Sequence, residues 1–278
     1  MSDSLVCKVD MLAPIFTCLR KPVKSIFGCM ITALLAISGL IEPHAVATSI
    51  VILSNSKEIW VAADSKAIPG PAACKIFKIG SMYWAMSGLT SNTVTKYDVG
   101  KIVKQSYGSG RTVGEMLRVF EKNAETPLQK TMILDHQFSK SFNMVRYHPL
   151  EIPFWRFEGG KPVIASVYYT TVVIHNKVSL IREAEDITDC TIVDCSRRTD
   201  ATMLGVRGGM VNYLQSHKDW ATSGDLGKMA YFLVQLAIKE APNTVGYPIN
   251  VLNIQPNGSH KWDAPNECCH GEPNDPKW

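Results

Sequence analysis

Residues Thr48–Ala67 read "TSIVILSNSKEIWVAADSKA". Thr48–Ser54 is a run of β-branched and apolar residues. Asn55-Ser56-Lys57-Glu58 is a polar turn, and Ile59–Ser65 is a second apolar run. Two such runs joined by a short turn predict a β-hairpin. Both are continuously apolar rather than alternating, so both faces must be covered, as in a sheet buried between two layers.

The pattern continues downstream. "AIPGPAA" (67–73) is a Pro/Gly loop. "KIFKI" (75–79) and "MYWAMSG" (82–88) form a second short hairpin about Gly80-Ser81. Two helices are predicted next, one near Thr93–Ser106 and one from Thr112. There Thr112 and Glu115 make a capping box, and the pattern runs past Pro127 toward Leu134. Residues 139–200 read as strands and loops: "SFNMVRY", "KPVIASVYYT", "TVVIHN" and "VSLIREA". Two more helices are predicted, near Ala201–Gln215 and from about Ser223 to Glu240. "PINVLNIQPNGSHKW" closes the domain with a strand, a turn at Pro256-Asn257-Gly258 and a strand end. Strands, two helices, strands, two helices and a strand predict one α+β sandwich with helical layers outside.

Upstream of Thr48, residues 25–41 are apolar and uncharged, and Arg20, Lys21 and Lys24 precede them. Glu42-Pro43-His44 breaks the run and Ala45-Val46-Ala47 ends it in small residues. A basic flank, an apolar core and an A-x-A end make a signal peptide. The competing readings are an uncleaved anchor, for which the run is short, and a cytoplasmic propeptide. The expected organisation is a cleavable leader over 1–47, a globular domain over 48–262 and a flexible tail over 263–278. Export to a periplasmic or extracellular space follows if the leader is a signal peptide, with a cytoplasmic location as the alternative. No stable membrane span is expected once the leader is cut.

Composition adds bounds. The chain has 278 residues, 46% of them hydrophobic and 19% charged, with a net charge of +4 and no Lys/Arg block. A nucleic-acid partner is not expected. Of eight cysteines, Cys7, Cys18 and Cys29 lie in the leader. Cys74, Cys190, Cys195, Cys268 and Cys269 remain, an odd number in a domain too large to depend on disulfides. A Cys190–Cys195 bridge fits an exported protein. Cys268-Cys269-His270 could be read as metal ligands, but no second ligand pair stands at zinc-like spacing, so no metal and no cofactor is expected.

If the leader is cut after Ala47, Thr48 becomes a free amino terminus. A threonine hydroxyl is a poor nucleophile until a base takes its proton. A free α-amine, with a pKa of about 7.7–8.0, can be that base for its own residue. A nearby cation would hold the amine neutral, a carboxylate would orient the cation, and backbone N–H groups would hold the developing oxyanion. Asp64 at the end of the second strand, Lys75 at the start of the third and Gly88 at the end of the fourth are the candidates. Taken singly each has an ordinary reading: a strand-end turn, a solvated strand lysine, a turn glycine.

The stretch from Thr48 resembles the start of a mature proteasome β subunit, including its bacterial relatives. Thr48 matches the family's nucleophile, and Asp64-Ser65-Lys66 matches its Asp-Ser-Arg with no gap needed. "CKIFKI" places Lys75 on the catalytic lysine. "YWAMSGLTSN" places Gly88 on the oxyanion-hole glycine, and "VGYPINVLNIQPNG" resembles the family's glycine-containing closing strand. The resemblance implies a four-layer αββα sandwich of the N-terminal nucleophile hydrolase type. It implies a threonine-type peptidase acting through an acyl-enzyme on Thr48, with peptide or unfolded polypeptide as substrate. Ala67 and Met86 would line the substrate pocket, although both also read as core. A homo-oligomer, a ring in the family, is implied by the resemblance alone. Two departures stand out. Pro242 and Val245 lie about where an Asp and a Ser would support the amine, with Asn243 or Thr244 as the available substitutes. Arg207, Gly208 and Gly209 replace a Gly-Ser-Gly turn. Two alternatives therefore stay open: a catalytically weak or inactive binding or assembly subunit of the same fold, and a small-amide acylase.

Overall fold

A computed structural model describes residues 44–46, 48–66, 72–138, 148–175, 177–190, 199–222, 224–264 and 269. Most of the leader, Ala67, "SFNMVRY", Cys195, Cys268, His270 and most of the tail lie outside the described residues.

The predicted hairpin is present as β2 (Ser49–Asn55) and β3 (Glu58–Asp64). Asn55 closes its turn, accepting the Lys57 amide at 2.9 Å and the Glu58 amide at 3.1 Å. The hairpin lies inside a five-stranded antiparallel sheet in the order β11-β2-β3-β12-β13. Its other strands are β11 (Asp200–Gly205), β12 (Ile249–Ile254) and β13 (His260–Ala264).

A second antiparallel sheet of eight strands collects the rest. They are β1 (His44–Val46), β4 (Ile76–Ile79), β5 (Met82–Ala85), β6 (Ser87–Asn92), β7 (Tyr97–Asp98), β8 (Leu150–Glu158), β9 (Lys161–Ile174) and β10 (Lys177–Asp189). The "MYWAMSG" run thus splits at Met86. Its first part pairs with β4 and β8, and its second continues along β1 and β8.

Four α-helices stand among the described residues: α1 (Val99–Ser106), α2 (Val113–Phe138), α3 (Gly208–Ser216) and α4 (Leu226–Glu240). The capping box forms, with the Thr112 amide donating to Glu115 at 2.8 Å and the Glu115 amide to Thr112 Oγ1 at 3.2 Å. Helix α2 carries Pro127 in its interior. Proline there removes one backbone bond. Burial of Ala124, Leu128 and Met132 along one face opposes that loss.

Period-2 alternation sorts β2 between two cores. Ile50 and Ile52 meet Tyr83, Trp155 and Ile164 of the eight-stranded sheet, so the two sheets face each other. Val51 and Leu53 meet Met210, Leu233 and Val234 on α3 and α4. The far face of the eight-stranded sheet, with Trp84, Met86 and Phe154, meets Ile102, Met116 and Phe120 on α1 and α2. The expected α+β class therefore holds, as a mixed fold of two antiparallel sheets and helices.

Three elements differ from the sequence reading. Ala201–Gly205, expected as helix, is strand β11, paired along β2 from Ser54 to Ser49. "LEIPFWRFE", read within a loop region, is strand β8. "KPVIASVYYT" and "TVVIHN", read as two strands, are one, β9. Among the described residues no helix is long and apolar enough to cross a membrane.

Candidate functional site

Thr48 sits just before β2 and is buried. Its carbonyl accepts the Val206 amide at 3.1 Å, and Ser49 Oγ donates to the Val206 carbonyl at 3.1 Å. The Thr48 hydroxyl is buried with no hydrogen-bond partner among the described residues. A buried unpaired hydroxyl is a cost that packing alone does not explain.

Asp64, fully buried at the end of β3, organises the surroundings. One carboxylate oxygen accepts the Ser49 amide at 2.8 Å, and both accept from Lys75 Nζ at 3.0 Å. The other oxygen also takes the Lys66 amide at 3.2 Å and the Gly246 amide at 3.3 Å. Lys75 is itself 3% exposed. Burial pushes the Asp64 carboxyl above the ordinary value, opposed by the Lys75 charge and the Ser49 and Gly246 amides. The hairpin register makes this arrangement. It sets Ile50 opposite Ala63, so Ser49 and Asp64 meet at the open end of the strand pair.

Gly88 lies in β6 at φ +109°. A Cβ there would fall 2.3 Å from the Pro149 carbonyl oxygen, so the close approach of the chain entering β8 requires glycine. The segment just before Thr48 reaches the same place. Strand β1 runs antiparallel to β6 with Val46 opposite Gly88, which puts Val46, two residues before Thr48, beside the candidate oxyanion glycine. Of the two proposed pocket residues, Met86 is buried in the core shared with α1 and α2, on the face of its sheet away from the hairpin. Ala67 lies outside the described residues. Thr244 spends its hydroxyl on the Ala241 carbonyl at 3.2 Å, so the 241–246 segment reaches Asp64 through the Gly246 amide.

The fold is similar to Anbu proteins. The matched structures are an Anbu mutant from Hyphomicrobium sp. strain MC1, Anbu from Yersinia bercovieri, described as an ancestral beta-subunit, and a helical assembly of the Anbu complex from Pseudomonas aeruginosa. Identities are 13%, 11% and 15%, and TM-scores 0.45, 0.47 and 0.45. The alignments cover 77%, 78% and 74% of this chain and 84%, 88% and 81% of the others. No protein-family model matches the chain, and no curated protein does. These findings correct the resemblance to proteasome β subunits: the similar structures are Anbu proteins, a distinct proteasome-like group. The reason is the reach of the signature. Thr48, Asp64-Ser65-Lys66, Lys75 and Gly88 are a few short matches, and the closing strand adds only a glycine-containing apolar run, too little sequence to separate proteasome β subunits from Anbu proteins.

The structure also brings in residues that the sequence reading missed. Glu151, on β8, is 1% exposed. It accepts the Gly205 amide in a short hydrogen bond. It faces Arg207 Nη1 at 3.4 Å and His148 Nδ1 at 3.7 Å. Arg207 lies over the Tyr168 ring, 5.3 Å from its centre. Burial pushes the Glu151 carboxyl up, opposed by Arg207, the Gly205 amide and His148 and reinforced by Glu183. Gly205 has φ +71°, and a Cβ on it would lie 1.8 Å from the Thr48 carbonyl oxygen. The signal for Glu151 was one acid inside the apolar run "LEIPFW". Recognising it required first recognising that run as a strand.

Proposed function

We propose that Thr48, once freed of the leader, is the nucleophile of a threonine-type N-terminal nucleophile hydrolase that cleaves amide bonds through an acyl-enzyme. The two facing sheets with helices against their outer faces are read as the four-layer αββα sandwich of that class. The observation that carries the proposal is the Asp64 carboxylate, which binds the Ser49 amide and the Lys75 ammonium together. This ties a buried cation to the residue next to a buried, unpartnered threonine hydroxyl.

Each group then has a task. The freed α-amine accepts the hydroxyl proton. Lys75 keeps that amine neutral and lowers the cost of the alkoxide, and Asp64 holds Lys75 in place. Backbone near Gly88 receives the oxyanion. The leader masks the base, because the Ala47–Thr48 amide nitrogen cannot accept a proton. Peptides or unfolded chains are the proposed substrates, and a homo-oligomer is the proposed assembly. Export is supported by the disulfide between Cys74 and Cys269, whose Cα atoms are 5.3 Å apart, since such bonds persist in oxidising compartments.

A second reading, an inactive binding subunit of this fold, is favoured by the use of the Thr244 hydroxyl within its own turn. Two measurements separate them. Terminal sequencing of the mature protein should begin at Thr48; another start sinks the catalytic reading. An epoxyketone or β-lactone should form a covalent adduct on the wild type and none on Thr48→Ala. A wild type that stays unlabelled favours the binding subunit. Fluorogenic peptides set against small acyl-amides then distinguish peptidase from acylase.

A further inference from the structure

A buried carboxylate with a cation beside it is costly to keep, and apolar residues of the same volume often serve the fold as well. Glu151 is such a group, and its contacts lead to Thr48. Its carboxylate bonds the Gly205 amide, and Gly205 abuts the Thr48 carbonyl. The next amide, Val206, donates to that carbonyl, and the Val206 carbonyl takes the Ser49 hydroxyl. Arg207 turns back to face Glu151 and donates to the Met203 carbonyl at 3.1 Å, closing the turn on itself.

We infer that Glu151 and Arg207 are a positioning pair for the Thr48 site. By holding the Gly205–Val206–Arg207 turn, they fix the backbone of the nucleophile from the side opposite Asp64. The inference rests on Thr48 being the nucleophile and deepens that reading. Thr48 is then clamped from two directions. Asp64 holds the Ser49 amide from one sheet. Glu151, on β8 of the other sheet, holds the turn that binds the Thr48 carbonyl. The charged and titratable groups facing Glu151 are Arg207, His148 and Glu183.

The test uses the full mature protein and a β-lactone probe. The maximal labelling rate and the half-saturating probe concentration are measured for wild type, Glu151→Gln, Glu151→Ala, Arg207→Ala and the double alanine variant. A displaced nucleophile lowers the maximal rate and leaves probe binding alone. Glu151→Ala is expected to lose about 10–100-fold in maximal rate. Glu151→Gln, which keeps an acceptor for the Gly205 amide, should lose less. The double variant should lose no more than Glu151→Ala alone, because paired residues are not additive. Wild-type rates in Glu151→Ala, or losses that multiply in the double variant, overturn the pair. Hydrogen exchange at Gly205–Arg207 supplies a readout independent of activity. Faster exchange in Glu151→Ala, with a smaller rise in Glu151→Gln and α4 unchanged, supports the clamp, and unchanged exchange in Glu151→Ala overturns it even if Thr48 never reacts. An unlabelled wild type overturns the proposed function only, and exchange then decides the clamp.

Discussion

Asp64 shows how much one side chain settles here. Its carboxylate links the start of β2, the end of β3, the lysine before β4 and the amide of Gly246. Burial raises its folded-state pKa above the ordinary 3.8. Between those two values the native state binds the proton and the unfolded chain does not. Stability contributed by the protonated group is therefore full below the ordinary value and lost as pH rises through the folded one. The same sign holds for Glu151, raised from 4.5. Glu115 and Asp225, whose carboxyls are lowered, contribute with the opposite sign, so the test is a difference: in urea titrations across the acid range, wild type should lose stability relative to Asp64→Asn as pH rises. A slope unchanged by that substitution would mean that Asp64 titrates alike in both states. The roles offered for Thr48, Asp64, Lys75 and Gly88 came from their order along the chain. That Asp64 reaches the Ser49 amide could not be read there, because the count between two residues does not contain the hairpin register.

Element boundaries followed side chains that compete for backbone. Helix α1 was expected from near Thr93 and begins at Val99. Asn92 captures the Val94 and Thr95 amides at 3.0 Å each, holding that segment in a turn. Asp98 then caps the helix by accepting the Lys101 amide at 3.0 Å. Asp98→Ala should cost about 1 kcal/mol in chemical denaturation, the usual loss for an N-cap. No change in midpoint would move the helix start elsewhere. Thr112 and Glu115 were legible as a cap because their bonds are local. Strand β11 was not. Its residues suit a helix as well as a strand, and the free edge of β2, far away in sequence, decides the matter. Strand β8 was hidden by Pro149 and Pro153, which argue against a central strand. Its pairing with β9 places Pro153 opposite Ser166, inside a ladder that runs from Leu150 to Glu158.

At the scale of the molecule, the bond between Cys74 and Cys269 joins the residue before Lys75 to the tail across 195 residues. Cys269 is 2% exposed, so its sulfur is a buried staple rather than a thiolate ligand for a metal. Cys190 is disulfide-bonded as well. In the chain-entropy account a loop this long adds about 5 kcal/mol by restricting the unfolded state. Cys269→Ser, or reductant added to the wild type, should lower the melting temperature by about 10–20 °C. A melting curve indifferent to both would show that the staple constrains little. The cysteine count alone could not assign this pair, since nothing in the chain between them marks their meeting.

The sequence by itself determined the hairpin from Thr48, the Thr112–Glu115 cap and the α+β class, and it offered Thr48, Asp64, Lys75 and Gly88 as candidates. Each of these rests on local periodicity, turn chemistry or short spacing, which act over a few residues. Only the tertiary structure decided that Ala201–Gly205 is a strand, that Glu151 and Arg207 meet at the turn whose Val206 amide bonds the Thr48 carbonyl, and that Val46 lies opposite Gly88. Those facts depend on contacts between segments remote in the chain. Burial and pairing across such distances select one arrangement from several that local preference leaves nearly equal in energy.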